Sequence, residues 1–371
     1  MTVTPSSVSK KNAVNASVFS PRAILDRFGI ALALVLLMVV LSILSPEYFL
    51  SRDNLTNVSR QISVNALLAL GQFLVILTAG IDLSVGAVMA FSMIIMAMCS
   101  HAFYYWYAGY YVQAGITALP DPQSTLAMVI ISGVAILVGL IGGMGAGLLN
   151  GWGTTKLKLP HPFIATLGML NIARGATDLI SGGAPITGIP RPMRAFGAGS
   201  LQLFQGEDGR WVSVPMALLV VIAIYLITWW FVTHTQMGRH IYAVGGNKKA
   251  ALYAGVNVNR VINVVYMLCG GMAAIAALLL AGRTNSGYPK AGISAELDAI
   301  AAVIIGGASF FGGRGTVIGI FIGVLIMGFI RNGLNLLNVS VFWQEVAIGV
   351  IIVAAAAVDV LRRKATRAQM E

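Results

Sequence analysis

Apolar residues recur along the 371-residue chain in runs that short polar segments separate. A helix of about 20 apolar residues spans the ~30 Å hydrocarbon core of a bilayer. Ten runs approach that length, centred on Phe28–Ser45, Val64–Ala79, Ser84–Phe103, Thr125–Leu149, Phe163–Ile180, Val214–Val232, Val261–Ala281, Leu297–Phe310, Thr316–Leu336 and Trp343–Val358. The pattern predicts an all-α polytopic membrane protein with about ten transmembrane helices, of which Phe163–Ile180 and Leu297–Phe310 are short or interrupted.

Composition and charge agree with a membrane environment. Hydrophobic residues make up 57% of the chain and charged residues 10%, against about 25% charged residues in soluble proteins. Lys and Arg collect in four segments, and an even number of spans separates each segment from the next. All four segments therefore lie on the same side of the membrane, which is the cytoplasm because Lys and Arg are enriched in cytoplasmic loops. They hold Lys10, Lys11, Arg22 and Arg27; Lys156 and Lys158; Arg239, Lys248, Lys249 and Arg260; and Arg362, Arg363, Lys364 and Arg367. Both termini are therefore expected in the cytoplasm.

The net charge of +11 is spread over these segments. It forms no dense patch interleaved with aromatic residues, so a nucleic-acid partner is not indicated. Residues 1–21 are polar and are expected to form a disordered cytoplasmic tail; residues 22–361 are expected to form one transmembrane domain, and residues 362–371 a cytoplasmic tail. The first apolar run is too long for a cleaved signal peptide. Cys99 and Cys269 lie inside apolar runs, which suggests neither a disulfide nor a metal site.

A polar stretch, Gly182–Trp211, separates the first five predicted spans from the last five. An odd number of spans in each half gives the halves opposite orientations, the arrangement of inverted repeats in many transporters. In each half the third span begins near an acidic residue, Asp82 or Asp298. The similarity between the halves is weak, so the 5+5 repeat is a hypothesis.

Asp82 is the single charge in the run "TAGIDLSVGAVMAFSMIIMAM". Its carboxylate can accept from backbone N–H groups two or three residues on, and Ser84 lies in the first turn of the next helix, which is typical of a helix start. An ionisable residue in a membrane span is also a candidate functional group. Two interpretations stay open: a helix cap, and a substrate or gating contact at a break between helices.

Other polar side chains in the apolar runs can hold helices together or bond a hydroxylated substrate. Arg174 and Asp178 lie four residues apart and are expected to pair near the end of the fifth span. With the residues at the breaks, the candidates for a substrate pathway are Asp82, Ser84, Asn65, Gln72, Asn171, Asp298 and Asn332.

Glycine-rich runs such as "GLIGGMGAGLLNG" predict close approach or breaking of helices. None reads G-x-x-x-x-G-K-[ST], so the chain has no phosphate-binding loop of its own. The four histidines are scattered at span ends, and no cluster with catalytic or metal-ligating spacing occurs. The sequence predicts a protein that is not an enzyme and binds no metal.

The segment Thr233–Arg260 is the longest basic connection between spans. Asn247 can cap a short helix over Lys248–Ala254, with Gly255 just past its end. Ala250 and Ala251 are expected on its exposed surface. The segment is either a solvated loop or a docking element for a cytoplasmic partner.

Several motifs together resemble the permease subunit of ribose-type monosaccharide importers of the ATP-binding-cassette class: "TAGIDLSVGA", "PFIATLGML", "SGGAPITG", "GRHIYAVGGNKKAALYAGVNV", "ELDAIAAVIIGGASFFGGRGTVIG" and "NGLNLLNVS". The resemblance implies an inner-membrane pore formed by two permease copies, a cytoplasmic ATPase that uses the ATP, and a periplasmic sugar-binding protein. It implies no cofactor on this chain. The ATPase-coupling loop of the family corresponds to Gly245, Gly246, Asn247, Ala250, Ala251 and Gly255.

One segment departs from the family pattern. "HAFYYWYAGYYVQAGITALPDPQST" is longer and more aromatic than expected, and span counting places its residues 104–123 on the periplasmic side. It is either an aromatic belt with a short outer helix or an extra contact with the sugar or its binding protein. The sugar, whether a ribose-like pentose, a hexose or a polyol, therefore stays open. The alternative function is an ion-coupled secondary transporter of a small polar solute, against which the near absence of paired acids in the spans argues.

Overall fold

The computed structural model describes residues 21–113, 126–157, 159, 161–205, 209 and 211–368. The predicted tail at 1–21 and the second half of the aromatic insertion fall almost entirely outside these residues. The described chain is mostly helical. Its helices before residue 200 are α1 (Pro21–Leu44), α2 (Arg52–Leu77), α3 (Val85–Gln113), α4 (Leu126–Lys156), α5 (Pro162–Ser181) and α6 (Arg191–Gly197).

The second half of the chain contains helices of very unequal length. They are α7 (Met216–His234), α8 (Gln236–Gly246), α9 (Lys248–Tyr253), α10 (Val258–Thr284), α11 (Ala295–Ile305), α12 (Val317–Leu336) and α13 (Val341–Ala368). α13 continues through residues that the sequence assigned to the cytoplasmic tail. The segment Thr233–Arg260 is not an open loop, because α8 and α9 occupy most of it.

Each of the ten predicted spans coincides with a helix, but the helices are not equal candidates for crossing a membrane. Seven are long and apolar enough to do so: α2, α3, α4, α7, α10, α12 and α13. α1 contributes a shorter apolar stretch, Gly29–Leu44. α11 has 11 residues and is about 16 Å long, which is too short to cross. The ten-helix count, the inverted repeat and the orientation of the termini remain predictions.

Short strands interrupt the helical chain, so the all-α prediction is wrong in this detail. β1 (Ile186–Thr187) pairs antiparallel with β4 (Ser286–Gly287). β2 (Ser200–Gln205), within the polar stretch Gly182–Trp211, pairs antiparallel with β3 (Trp211–Pro215), which begins where that stretch ends. Antiparallel pairing satisfies the backbone groups of a connection that contains no long helix.

The centre of the bundle consists of α2, α3 and α10, and α4 packs closely along α10. Glycine permits this packing, as the glycine-rich run predicted. A Cβ atom at Gly143 would lie 2.6 Å from the carbonyl oxygen of Gly270. A Cβ atom at Gly147 would overlap the carbonyl oxygen of Tyr266. Side chains at these positions would push the two helices apart.

The outer helices carry apolar side chains that no other part of the described chain covers. Ile43 on α1, Leu226 on α7 and Val353 on α13 are all exposed, as expected of surfaces in contact with lipid. α10, with 27 residues, is about 40 Å long and joins the two ends of the bundle. We call these the α9 end, at Val258, and the sheet end, where β1 pairs with β4.

Candidate functional site

Asp82 lies in the break between α2 and α3, where the chain turns back into the bundle. Its carboxylate accepts from the backbone N–H of Ser84 at 2.8 Å and from the Ser84 hydroxyl at 2.6 Å. The predicted bond to a backbone N–H two residues on is therefore present, in the manner of an Asx turn. The first backbone bond of α3 follows directly, from Val88 to the carbonyl of Ser84.

Three further helices contribute side chains to Asp82. The Asn150 amide of α4 donates to the Ser84 hydroxyl at 2.8 Å and approaches the Asp82 carboxylate at 3.4 Å. The Cys269 thiol of α10 lies beside the carboxylate. With its amide oriented to suit its neighbours, Gln72 of α2 bonds both the N–H and the carbonyl of Asp82, each at 3.1 Å. Hydrogen bonds thus connect the break to α2, α3 and α4, and α10 packs against it through Cys269.

Asp82 is closed off from solvent, with 2% of its surface exposed. Burial raises the pKa of its carboxyl, and the hydrogen bonds from Ser84 and Asn150 act in the opposite direction. A substrate passing through the protein could not reach this carboxylate without a rearrangement of the surrounding helices. In this conformation Asp82, Ser84 and Gln72 form a buried joint.

The remaining predicted pathway residues do not gather around Asp82. Asn65 is half-buried within α2, and Asn171 is exposed on α5, where its amide donates to the carbonyl of Leu167 at 3.1 Å. Asp298 and Asn332 lie between α11, α12 and the start of α2. The sequence thus named residues in at least three separate places.

Asp298 and Asn332 each have a specific partner. The Asp298 carboxylate, at the first turn of α11, forms an ion pair with Arg331 of α12 at 2.7 Å. Asn332 exchanges two amide hydrogen bonds with Asn54 of α2, at 2.8 and 3.1 Å. These bonds fix the short helix α11 and the ends of α2 and α12 to each other.

Arg174 connects α5 to the irregular segment that follows β4. Its guanidinium donates to the carbonyl oxygens of Pro289 at 3.0 Å and Ala291 at 2.6 Å. The predicted pairing with Asp178 is therefore not its hydrogen-bonded contact, although the charges of Glu296 and Asp178 both act on it. Non-helical backbone inside a membrane protein needs such partners for its carbonyl groups.

Sequence reasoning missed Glu296 and the contacts of Arg174. The segment between β4 and α11 includes Gly292 and Ser294 in the left-handed region, at φ values of 67° and 63°. Glu296 stands at the start of α11, one turn from this segment. The sequence offered two signals: Arg174 inside one apolar run and Glu296 at the edge of another. No spacing rule relates residues that are so far apart in the chain.

The short helix predicted in the basic segment is present as α9. The Asn247 side chain accepts from the backbone N–H of Ala250 at 3.0 Å, which caps the helix as predicted. Gly255 follows with φ of 82°, a conformation that glycine adopts without strain. The capping prediction is confirmed at both ends.

One expectation about α9 is wrong. Ala251 was expected on the exposed surface, but it is 6% exposed, because α9 lies against α8 and α10. Ala250 is exposed, together with Leu252 at 59% and Tyr253 at 88%. The free surface of α9 therefore consists of Ala250, Leu252 and Tyr253, beside Lys248 and Lys249.

Gly245, at the end of α8, is wedged against two other segments. A Cβ atom there would overlap the carbonyl oxygen of Leu77 and lie 2.6 Å from the backbone nitrogen of Gly313. That nitrogen itself donates to the Leu77 carbonyl at 2.9 Å. The end of α8, the end of α2 and the connection between α11 and α12 thus meet backbone to backbone, directly below α9.

Among the described residues, no group of His, Cys, Asp or Glu has the arrangement of a metal site. The candidate chemistry is instead that of a helical membrane protein with a buried polar joint, an irregular segment inside the bundle and a capped surface helix. Helices that are interrupted inside the bundle are typical of membrane transporters.

Residues 54–356 match the family described as "Branched-chain amino acid transport system / permease component", and the chain belongs to this family. It is 39% identical to the ribose import permease protein RbsC of Bacillus subtilis (strain 168), over 91% of this chain and 93% of that protein. It is 38% identical to RbsC of Escherichia coli (strain K12), over 88% and 92%. The D-allose transport system permease protein AlsC of the same strain is 37% identical, over 91% and 93%. No solved structure matches the chain.

These matches confirm the predicted resemblance to ribose-type permeases. The family and the seven candidate spans identify the chain as a multi-pass inner-membrane protein.

Proposed function

We propose that the chain is the pore-forming permease of an ATP-driven importer that carries a monosaccharide or polyol into the cell. The observation that carries this proposal is the 37–39% identity to permeases named for ribose and allose, over about nine-tenths of each chain. The family description mentions branched-chain amino acids. The named relatives favour a sugar over an amino acid.

A separate cytoplasmic ATPase is the proposed source of energy, because the sequence contains no phosphate-binding loop. Its contact surface would be the free side of α9. Leu252 and Tyr253 offer exposed apolar area there, and Lys248 and Lys249 offer positive charge. Such a surface suits a partner with an apolar groove and an acidic rim. A periplasmic sugar-binding protein would supply the substrate at the opposite end.

The sugar route is proposed along the open face of α5. Asn171, Gly175 and Asp178 follow one another at helical spacing on this face and are exposed, and a Cβ atom at Gly175 would meet no other atom within 4 Å. Sugar hydroxyls both donate and accept hydrogen bonds, so an amide and a carboxylate are suitable partners. A second copy of the chain, facing this surface, would close the route.

The decisive experiment is uptake into proteoliposomes that contain the permease, its ATPase and its binding protein. Labelled ribose, allose and valine would be compared, with ATP inside or outside and with a hydrolysis-deficient ATPase as control. We expect sugar uptake that requires hydrolysis. Uptake by the permease alone under an ion gradient would overturn the proposal in favour of an ion-coupled transporter. ATP-dependent uptake of valine without sugar uptake would overturn the substrate class.

The proposed route has its own test. Asn171→Leu removes an amide from the open face of α5, and we expect it to raise the sugar concentration needed for half-maximal uptake. Ile172→Leu, one residue further along the same exposed helix, is the matched control because it changes no polar group. Equal behaviour of the two variants would remove Asn171 from the route while leaving the importer itself unaffected.

A further inference from the structure

A cavity of about 250 Å³ lies at the sheet end of the bundle, opposite the α9 end. The last turns of α3, the first turn of α4, the segment that leads into α6 and the end of α10 enclose it. Its polar and aromatic lining comprises Ser100, His101, Tyr104, Tyr105, Thr187, Arg191, Arg194 and Asn285.

The charged side chains that line this cavity are both positive. Arg191 and Arg194 both line it, and among the described residues its wall contains no carboxylate. The Nε atom of Arg194 is buried and has no hydrogen-bond acceptor in the described part of the chain. A buried guanidinium N–H without an acceptor is unfavourable. The cavity is therefore suited to a ligand that brings anionic oxygen atoms.

Asn285 adds a second unsatisfied group. Its Oδ1 atom is buried without a donor in the described residues, while its backbone carbonyl accepts from the N–H of Gly188 at 3.1 Å. That backbone bond holds the two sides of the cavity together. A fitting ligand would carry a hydroxyl group in addition to its anionic oxygens, because Oδ1 accepts hydrogen bonds only.

The surface beside the cavity is apolar and aromatic. Tyr105 is 67% exposed, Trp106 72% and Leu126 74%. Tyr and Trp at the end of a membrane helix mark the level of the lipid head groups. The His101 and Tyr105 rings contact edge to face, with centroids 6.1 Å apart. Both residues line the cavity, so Tyr105 belongs both to the cavity wall and to this surface. A ligand with an anionic head and an acyl tail could occupy both regions at once.

We propose that this cavity binds the head group of an anionic phospholipid that carries hydroxyl groups. The phosphodiester accepts from Arg191 and Arg194, since guanidinium groups bind phosphate through paired hydrogen bonds. A head-group hydroxyl donates to Asn285. The acyl chains lie along Trp106 and Leu126. The shared chemistry is that of a hydroxylated phosphate ester, which a soluble glycerophosphodiester also presents.

The test measures lipid retained by the purified full-length chain. The protein is delipidated in detergent, mixed with equal amounts of phosphatidylglycerol and phosphatidylcholine, and examined by native mass spectrometry. We expect selective retention of phosphatidylglycerol, reduced about tenfold in Arg194→Gln, because one charge-assisted hydrogen-bond pair is lost. Arg191→Gln is a second, independent variant. Lys290→Gln removes one positive charge from an exposed position outside the cavity lining and is the matched control.

The outcomes separate the alternatives. Equal retention of the two lipids, or equal losses in Arg194→Gln and Lys290→Gln, would overturn the site. Soluble glycerophosphoglycerol that binds as tightly as the lipid, with the same loss in Arg194→Gln, would support the anion site and overturn the lipid as its source. Size-exclusion profiles of all variants verify that they are folded.

Discussion

Gly245→Ala perturbs the point where α8, α2 and the connection between α11 and α12 meet. The added methyl group would overlap the Leu77 carbonyl oxygen and approach the Gly313 nitrogen to 2.6 Å. Both neighbours are backbone atoms that already bond each other at 2.9 Å, so no side chain can rotate away. The end of α8 must therefore shift, and α9, which begins two residues later with its cap Asn247, must shift with it.

Two opposing contributions determine how much Gly245→Ala changes the unfolding free energy. Overpacking a tight site by one carbon costs about 1–3 kcal/mol. Replacing glycine by alanine within a helix gains about 0.5–1 kcal/mol. The expected net loss of unfolding free energy is about 0–2.5 kcal/mol. Gly246→Ala is the matched comparison for stability, because a Cβ atom there meets nothing within 4 Å and only the gain applies.

The assay is thermal unfolding of the purified chain in detergent, followed by copurification with the ATPase and ATP-driven uptake. We expect Gly245→Ala to unfold at a lower temperature than wild type and Gly246→Ala at the same or a higher one. Gly245→Ala should also weaken ATPase binding or uptake in proportion to the displacement of α9. If Gly245→Ala is as stable and as active as wild type, the three segments do not form a rigid contact and the reasoning fails.

Three further predictions concern the break, the surface helix and the topology. Asp82→Ala should lower the unfolding free energy by about 2–4 kcal/mol, because Ser84 and Asn150 lose a buried acceptor. Asp82→Asn should lower it by less than about 1 kcal/mol. A large loss of uptake in a stable Asp82→Asn protein would show that the charge itself acts in transport. Ala251→Glu should lower the unfolding free energy by ~2 kcal/mol or more, since it buries a charge. The exposed control Ala250→Glu should change the unfolding free energy by no more than ~0.5 kcal/mol but should reduce copurification of the ATPase. Equal melting temperatures of the two variants would contradict the burial of Ala251. Reporter fusions after Lys249 and at Gly209 should lie on opposite sides of the membrane, and finding both on one side would refute the topology.

Features set by neighbouring residues could be predicted from the sequence. The bond from the Asp82 carboxylate to Ser84, the cap by Asn247 and the left-handed Gly255 depend on residues two or three positions apart. Local preferences of side chains and backbone decide such contacts. The sequence also predicted a membrane protein correctly, because helix length and hydrophobicity are local properties of each apolar run.

Features that depend on packing between distant segments could not be predicted from the sequence. The exposure of Ala251 depends on which face of α9 lies against α8 and α10, and a six-residue helix carries too little periodicity to show it. The hydrogen bonds from Arg174 to Pro289 and Ala291 join residues more than a hundred positions apart. α11 reads as a span because its run is apolar, yet Gly306 ends it after 11 residues. A cavity wall built from α3, α6 and α10 likewise has no sequence signal.

The surface helix and the Asp82 joint belong to one structural unit, although they were proposed for different reasons. Leu77 receives the contact of Gly245 through its carbonyl group, and Asp82 follows five residues later in the same break. Gln72 ties the backbone of Asp82 back to α2, so the break cannot move independently of that helix. If α9 is the contact surface of the proposed ATPase, we expect its displacement to reach α2 through Leu77, and α3 and α4 through the break between α2 and α3. A carboxylate with buried hydrogen bonds suits this position because it resists distortion, and a flexible apolar link would absorb the movement instead of transmitting it.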